Sequence, residues 1–177
     1  LMSSFLEKWG YSSRIYCYGA DPGLHGETIR KLDEYAPGGE PEIQILHYAL
    51  PSALTSFFTR LPGRKILIHH NLTPAPFFAG LDPEMAEIVQ LGERELRELA
   101  GAVELGLGDS EWNRQELERF GYPSTGVLPI LIDFARYDAP PRPGLLRALS
   151  DGARNLLFVG RLAPNKQQQE LLKLFKL

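Results

Sequence analysis

The sequence predicts an α/β domain built on a mostly parallel sheet with helices on both faces, followed by the first strand and helix of a second domain. Three observations carry this prediction. Strand-like runs alternate with helix-like segments along the chain, the pattern of parallel strands joined by right-handed crossovers. The run Ile66-Leu67-Ile68 is too continuously apolar for a strand with one wet face, and Val103–Gly108 reads as a further buried strand. The chemistry-bearing residues gather where strands give way: His47-Tyr48, His69-His70-Asn71, Asp109-Ser110-Glu111, Asp133 and Gly160-Arg161.

Residues 1–9 read as the end of an amphipathic helix stopped by Gly10, and Arg14–Tyr18 as a short strand broken by Gly19 and Asp21-Pro22-Gly23. Weak helical character over Glu27–Tyr35 precedes a loop at Pro37-Gly38-Gly39. Ile43–Tyr48 is a strand, Ser52–Leu61 a helix, and Lys65–Asn71 a buried strand. Asp82-Pro83 supplies an N-cap followed by proline at the first helical position. Met85, Ile88, Val89, Leu96 and Leu99 then share one face of a helix that ends near Gly101. After the strand at 103–108, Ser110 caps a helix bearing Trp112, Leu117 and Phe120, stopped at Gly121. Thr125–Ile132 is a further strand. Residues 135–154, rich in proline and charge, read as a linker with one short helix. Leu156–Val159 starts a new strand, and Asn165–Leu177 a helix whose Leu171, Leu172 and Phe175 face a core or a second copy of the chain.

Composition narrows the function. The chain has 177 residues, 44% hydrophobic and 23% charged, with a net charge of −3, which gives no global reason to bind nucleic acid. No apolar run reaches the ~18 residues of a membrane span, and the start lacks a signal-peptide pattern. Cys17 is the only cysteine, which excludes an internal disulfide and any multi-cysteine metal site. The sequon at Asn71-Leu72-Thr73 is followed by Pro74 and reads as chance. Together these point to a reducing, cytoplasmic setting, with peripheral membrane association compatible with it.

In open α/β sheets, ligands bind outside the carboxyl ends of the strands, where helix N-termini also favour anions. That rim is the candidate site. Familiar motifs fail there. Gly106 and Gly108 begin a dinucleotide fingerprint, but position 111 is glutamate; Lys166 is followed by Gln167, so no phosphate loop forms; no nucleophile elbow is present. His69 and His70 are adjacent, so on a strand they point to opposite faces. His47 fits a hydrogen-bonded core histidine better than a ligand contact.

Four pieces in order, IHHNLTPAPFF (68–78), GDSEWNRQELERFGY (108–122), VLPILIDFARYD (127–138) and LLFVGRLAPNK (156–166), resemble the group 1, or family 4, glycosyltransferases. The resemblance spans most of the chain from about Gly10. It implies a two-domain GT-B fold with Rossmann-like halves, retention of anomeric configuration, and no cofactor or catalytic metal, the nucleotide-sugar being a substrate. By the same resemblance, His70 is the histidine that contacts the donor sugar near the reacting carbon, with Asn71 beside it. Gly160, Arg161 and Lys166 match the segment that holds the donor diphosphate. Fixed cations suit that task, because a departing diphosphate gains negative charge as the glycosidic bond breaks. Ser110 and Glu111, with Asp109, match a strand-to-helix turn lining the cleft.

The sequence departs from the family at both ends. It starts after the family's first strand and glycine-containing loop, and stops before the paired glutamates of the donor domain. The expected organisation is therefore an acceptor-side domain over 1–134 lacking its first strand, a linker over 135–154, and the start of a donor domain over 155–177. Such a chain is expected to be inactive alone and to bring copies together through 155–177. The expected partners are a nucleotide-sugar donor and a carbohydrate or lipid-linked acceptor, with no nucleic acid. Two other readings stay open: a non-catalytic α/β binding module, in which Arg161 and Lys166 are ordinary solvated charges, and a metal-dependent hydrolase using His47 and His70.

Overall fold

The structure, a computed structural model, describes residues 1–19, 29–38 and 42–175. It divides into two compact units: residues 1–72 with 88–132, and residues 73–87 with 133–177.

The first unit is α/β with parallel sheets. Strands β1 (Ile15–Cys17) and β2 (Ile29–Lys31) form a two-stranded parallel sheet. Strands β3 (Ile43–Tyr48), β4 (Arg64–His69), β5 (Leu105–Gly108) and β6 (Thr125–Val127) form a four-stranded parallel sheet in that order. Its helices are α1 (Met2–Lys8), α2 (Ala53–Arg60), most of α3 (Pro83–Leu99) and α4 (Glu111–Arg119). The second unit contains the first turn of α3, α5 (Pro143–Ala148), α6 (Gln168–Leu174) and three short 3₁₀ segments at Ala75–Phe77, Phe134–Tyr137 and Pro164–Lys166.

The long helix forms as its pattern requires. Asp82 Oδ1 accepts the Met85 backbone N–H at 3.0 Å, which caps α3 ahead of Pro83. Val89, Gly92, Leu96 and Leu99 are then buried at helical spacing, with Met85 and Ile88 half-buried on the same face. Parallel pairing puts register partners on one side of the sheet. Leu46 with Leu67, Tyr48 with His69, and Gly106 with Leu67 therefore share a face, and that face holds most of the strands' buried side chains.

Three helices share this one face by their contacts. Tyr48 donates its hydroxyl to the Gly92 carbonyl of α3 at 3.0 Å, and His69 reaches Glu116 of α4 at 2.8 Å. Lys65 Nζ donates to Leu61 O at the end of α2, and Thr55 of α2 donates to Glu95 of α3. On the opposite face Ile43, Ile45 and His47 are exposed, Ile66, Leu105 and Leu107 are half-buried, and Ile68 in the middle of β4 is buried.

The glycines at 106 and 108 have a packing reason. A Cβ on Gly106 would meet the Leu117 side chain at 3.1 Å and the Tyr122 ring still more closely. On Gly108 it would strike the backbone of α4 itself, with Asn113 C at 2.7 Å. The paired glycines let α4 lie directly on the sheet.

Several expectations are corrected. Leu156–Val159 forms no strand; Leu157 is 89% and Val159 83% exposed, and no described strand pairs with them to satisfy their backbone groups. The helix expected over Glu27–Tyr35 is instead β2 followed by a 3₁₀ turn at Leu32–Glu34; Glu27 and Thr28 lie outside the described residues, as do Asp21-Pro22-Gly23 and Gly39. The strand expected over Thr125–Ile132 ends at Val127. Leu128 still donates to Gly108 O, but Pro129 has no N–H to continue the ladder. On the helix capped by Ser110, Trp112 is 66% exposed, and Asn113 and Leu117 take the inward positions of α4. The helix expected from Asn165 is a 3₁₀ turn broken from α6 by Gln167, whose φ of 48° is left-handed. Leu171, Leu172 and Phe175 are exposed rather than core-facing.

Candidate functional site

Two backbone hydrogen bonds extend the sheet past its strands and build the rim. His70 N–H donates to Tyr48 O at 2.9 Å, and Asp109 N–H donates to His69 O at 3.2 Å. His70 and Asp109 thus stand side by side at the carboxyl ends of β4 and β5. Register parity sends His69 to the helix-covered face and His70 to the other, with His47 and Asp109. His69 is wholly buried and His70 half-buried.

His47 and His70 meet through their ring edges. Nδ1 of His47 lies 2.8 Å from Nε2 of His70, the planes differ by 10°, and the centroids are 5.1 Å apart. That separation is the hydrogen bond plus the two ring radii, so the imidazoles lie nearly coplanar, edge to edge, rather than stacked face to face. On the far side of His70, Nδ1 stands 3.8 Å from Asp109 Oδ2, a charge contact longer than a hydrogen bond. Asp109 is itself held by the side-chain amide of Asn113, a buried residue in the first turn of α4. Partial desolvation, and then the neighbouring His70, hold the His47 pKa below its ordinary value.

Asn71 follows with φ of 70°, the left-handed region that asparagine tolerates better than most residues. This turn takes the chain from half-buried His70 to buried Leu72. A Cβ on Gly92 of α3 would meet Leu72 at 3.1 Å. Asn71 itself is exposed. Ser110 is the N-cap of α4, its hydroxyl accepting the Asn113 N–H at 3.3 Å. Glu111 lies in a surface cluster instead of meeting His70. Arg114 grips its carboxylate through Nε at 2.7 Å and Nη2 at 2.6 Å, and Gln115 donates to it at 3.0 Å. Those hydrogen bonds, Arg114's first, hold the Glu111 pKa down at about 2.

The second unit carries the other expected residues. Gly160 and Arg161 lie in an irregular exposed segment, and the Arg161 carbonyl accepts from Gln168 Nε2 at 2.7 Å. Lys166 ends a 3₁₀ turn, its N–H donating to Ala163 O at 2.9 Å, and its side chain is exposed. Asn165 of that turn donates to Thr73 Oγ1 at 3.3 Å. Asp133, at the unit's edge, is half-buried. An open depression of about 590 Å³ in this unit is lined by Pro76, Phe77, Leu81, Leu162 and Gln168, and includes none of the expected site residues.

No family model, curated protein or solved structure matches the chain. Among the described residues, no group of three or more His, Cys, Asp or Glu side chains gathers as metal ligands do. No described helix is long and apolar enough to cross a membrane.

The rim therefore offers a pair of hydrogen-bonded imidazoles, one backed by a carboxylate. From the sequence, His47 reads as a core histidine or, with His70, as part of a metal site, and Asp109 as part of the turn lining the cleft; a direct imidazole pair backed by Asp109 is not among these readings. The signal available in the sequence is parity: once β3 and β4 pair with Tyr48 beside His69, His47 and His70 must share a face.

Proposed function

We propose that this chain belongs to a retaining sugar transferase that takes its sugar from a nucleotide-sugar and passes it to a carbohydrate or lipid-linked acceptor, in a cytoplasmic setting. The observation that carries the reading is the placement of His70. The histidine of the H-N pair stands at the same carboxyl rim as the Asp109-Ser110 turn, on adjacent parallel strands. This is the rim where open α/β sheets bind ligands.

In this reading His70 contacts the donor sugar near the reacting carbon, and Asn71 shapes the turn beside it. Arg161 and Lys166 hold the donor diphosphate. Both cations are exposed, and neither forms an ion pair among the described residues. Charge accumulates on the leaving diphosphate as the glycosidic bond lengthens, and positioned cations lower that barrier most when they bind the departing group more tightly than the ground state. Gly160 keeps the backbone beside Arg161 free of a side chain.

The test is sugar transfer from a panel of nucleotide-sugars by the protein that carries this chain, with His70→Ala and Arg161→Ala variants. Both should lose turnover, and Arg161→Ala should also weaken donor binding. Unchanged donor binding and turnover in both variants would remove the assignment.

A further inference from the structure

We infer that His47, rather than His70, presents the free hydrogen-bond-accepting nitrogen of this rim, through a chain that runs Asp109, His70, His47 and ends at His47 Nε2, where it receives a ligand hydroxyl. The inference follows from where two protons must sit. A neutral imidazole has one N–H and one bare nitrogen. His70 Nδ1 faces the Asp109 carboxylate at 3.8 Å. A bare nitrogen there would set lone pair against anion, whereas an N–H is attracted, so the His70 proton belongs on Nδ1.

His70 Nε2 is then bare, and its partner at 2.8 Å, His47 Nδ1, must be the donor. With its proton on Nδ1, His47 is left bare at Nε2. That atom has no hydrogen-bond partner among the described residues, and His47 is exposed at the rim. Both nitrogens of His70 face protein groups; among the described residues, the outward nitrogen of His47 has no such group.

The asymmetry has a structural origin. Asn113 holds Asp109 in place from the first turn of α4, so the carboxylate that polarises the chain is fixed to the sheet edge. An imidazole whose N–H is already engaged is a better acceptor at its other nitrogen. A bare imidazole nitrogen facing water accepts O–H or N–H donors, and sugars are dense in hydroxyls. Taking that hydroxyl to be a sugar's rests on the sugar-transfer reading; the proton arrangement does not.

The test is long-range proton–nitrogen NMR of the ¹⁵N-labelled full chain above neutral pH, with resonances assigned through His47→Gln and His70→Gln. The expected spectrum has His47 as the Nδ1–H tautomer and His70 likewise. His47 carrying its proton on Nε2 would overturn the chain. Diethyl pyrocarbonate, which acylates bare accessible imidazole nitrogens, gives a readout that needs no variant. His47 should react several-fold faster than His70, and the reverse order would overturn the proposal. UDP-glucose is the ligand probe, added to the protein that carries this chain, because 155–177 is expected to form only the start of a donor domain. An upfield move of the His47 Nε2 resonance on its addition is expected. The Nδ1–H tautomer with no response to UDP-glucose would leave the proton chain standing and overturn the assignment of its hydroxyl to a nucleotide-sugar.

Discussion

His69 Nε2 and Glu116 Oε2 meet at 2.8 Å between the sheet and α4, with His69 wholly buried and its Nδ1 buried without a partner among the described residues. A carboxylate only accepts, so Nε2 carries the proton and donates. Nδ1 is then a bare lone pair, a smaller cost than a buried orphan N–H.

Glu116→Ala leaves that donor unsatisfied. It should destabilise the fold by about 1–3 kcal/mol in urea melts, and Glu116→Gln, which keeps an acceptor, by less. An unchanged midpoint in the alanine variant would contradict the bridge.

Gly108→Ala drives a methyl group into the backbone of α4 at Asn113 and Arg114, where no flexible side chain can yield. The expected loss is at least about 1–3 kcal/mol. Gly121→Ala is the comparison. It sits in open space at φ of 88°, so only the left-handed backbone opposes it, at about 1–2 kcal/mol. Thermal melts of the two variants should rank Gly108→Ala as the more damaging, with the helix moved off the sheet rather than merely strained.

The depressed pKa of His47 ties stability to pH. Below its ordinary value of 6.5, the unfolded chain takes up a proton that the folded chain resists until the pH is lower still. This group's stabilisation is therefore fully present above 6.5 and lost as pH falls through the folded value. Among the described residues, His70 at the end of β4 is the titratable group in contact with it, and Asp109 stands behind His70 at the end of β5. Urea melts at about pH 7.5 and about pH 5 should show a smaller drop in His47→Gln than in the unaltered chain. Equal drops would remove His47 from the account.

Much of the first unit was legible because its elements are locally consistent. Helix α3 announces itself through Asp82-Pro83 and the apolar spacing from Met85 to Leu99, and β4 through its unbroken apolar run. The opposite fates of His69 and His70 follow from strand alternation alone. What was not legible depends on pairing. Leu156–Val159 has the composition of a strand, but a strand needs a neighbour for its backbone groups, and no described strand pairs with it. The contact between His47 and His70 needs the register of β3 on β4, which neither segment encodes by itself. Glu111 was expected in the cleft by position in a motif; the guanidinium one helical turn along, at Arg114, takes it instead.

The most direct test of the central claim is proton NMR of the product that the protein carrying this chain forms from the α-linked nucleotide-sugar it accepts out of the panel, in the presence of a metal chelator. The account expects an α-configured glycoside at an undiminished rate, and no product from the His70→Ala variant. A β-configured product, a strict requirement for added metal, or full turnover without the His70 imidazole would contradict it.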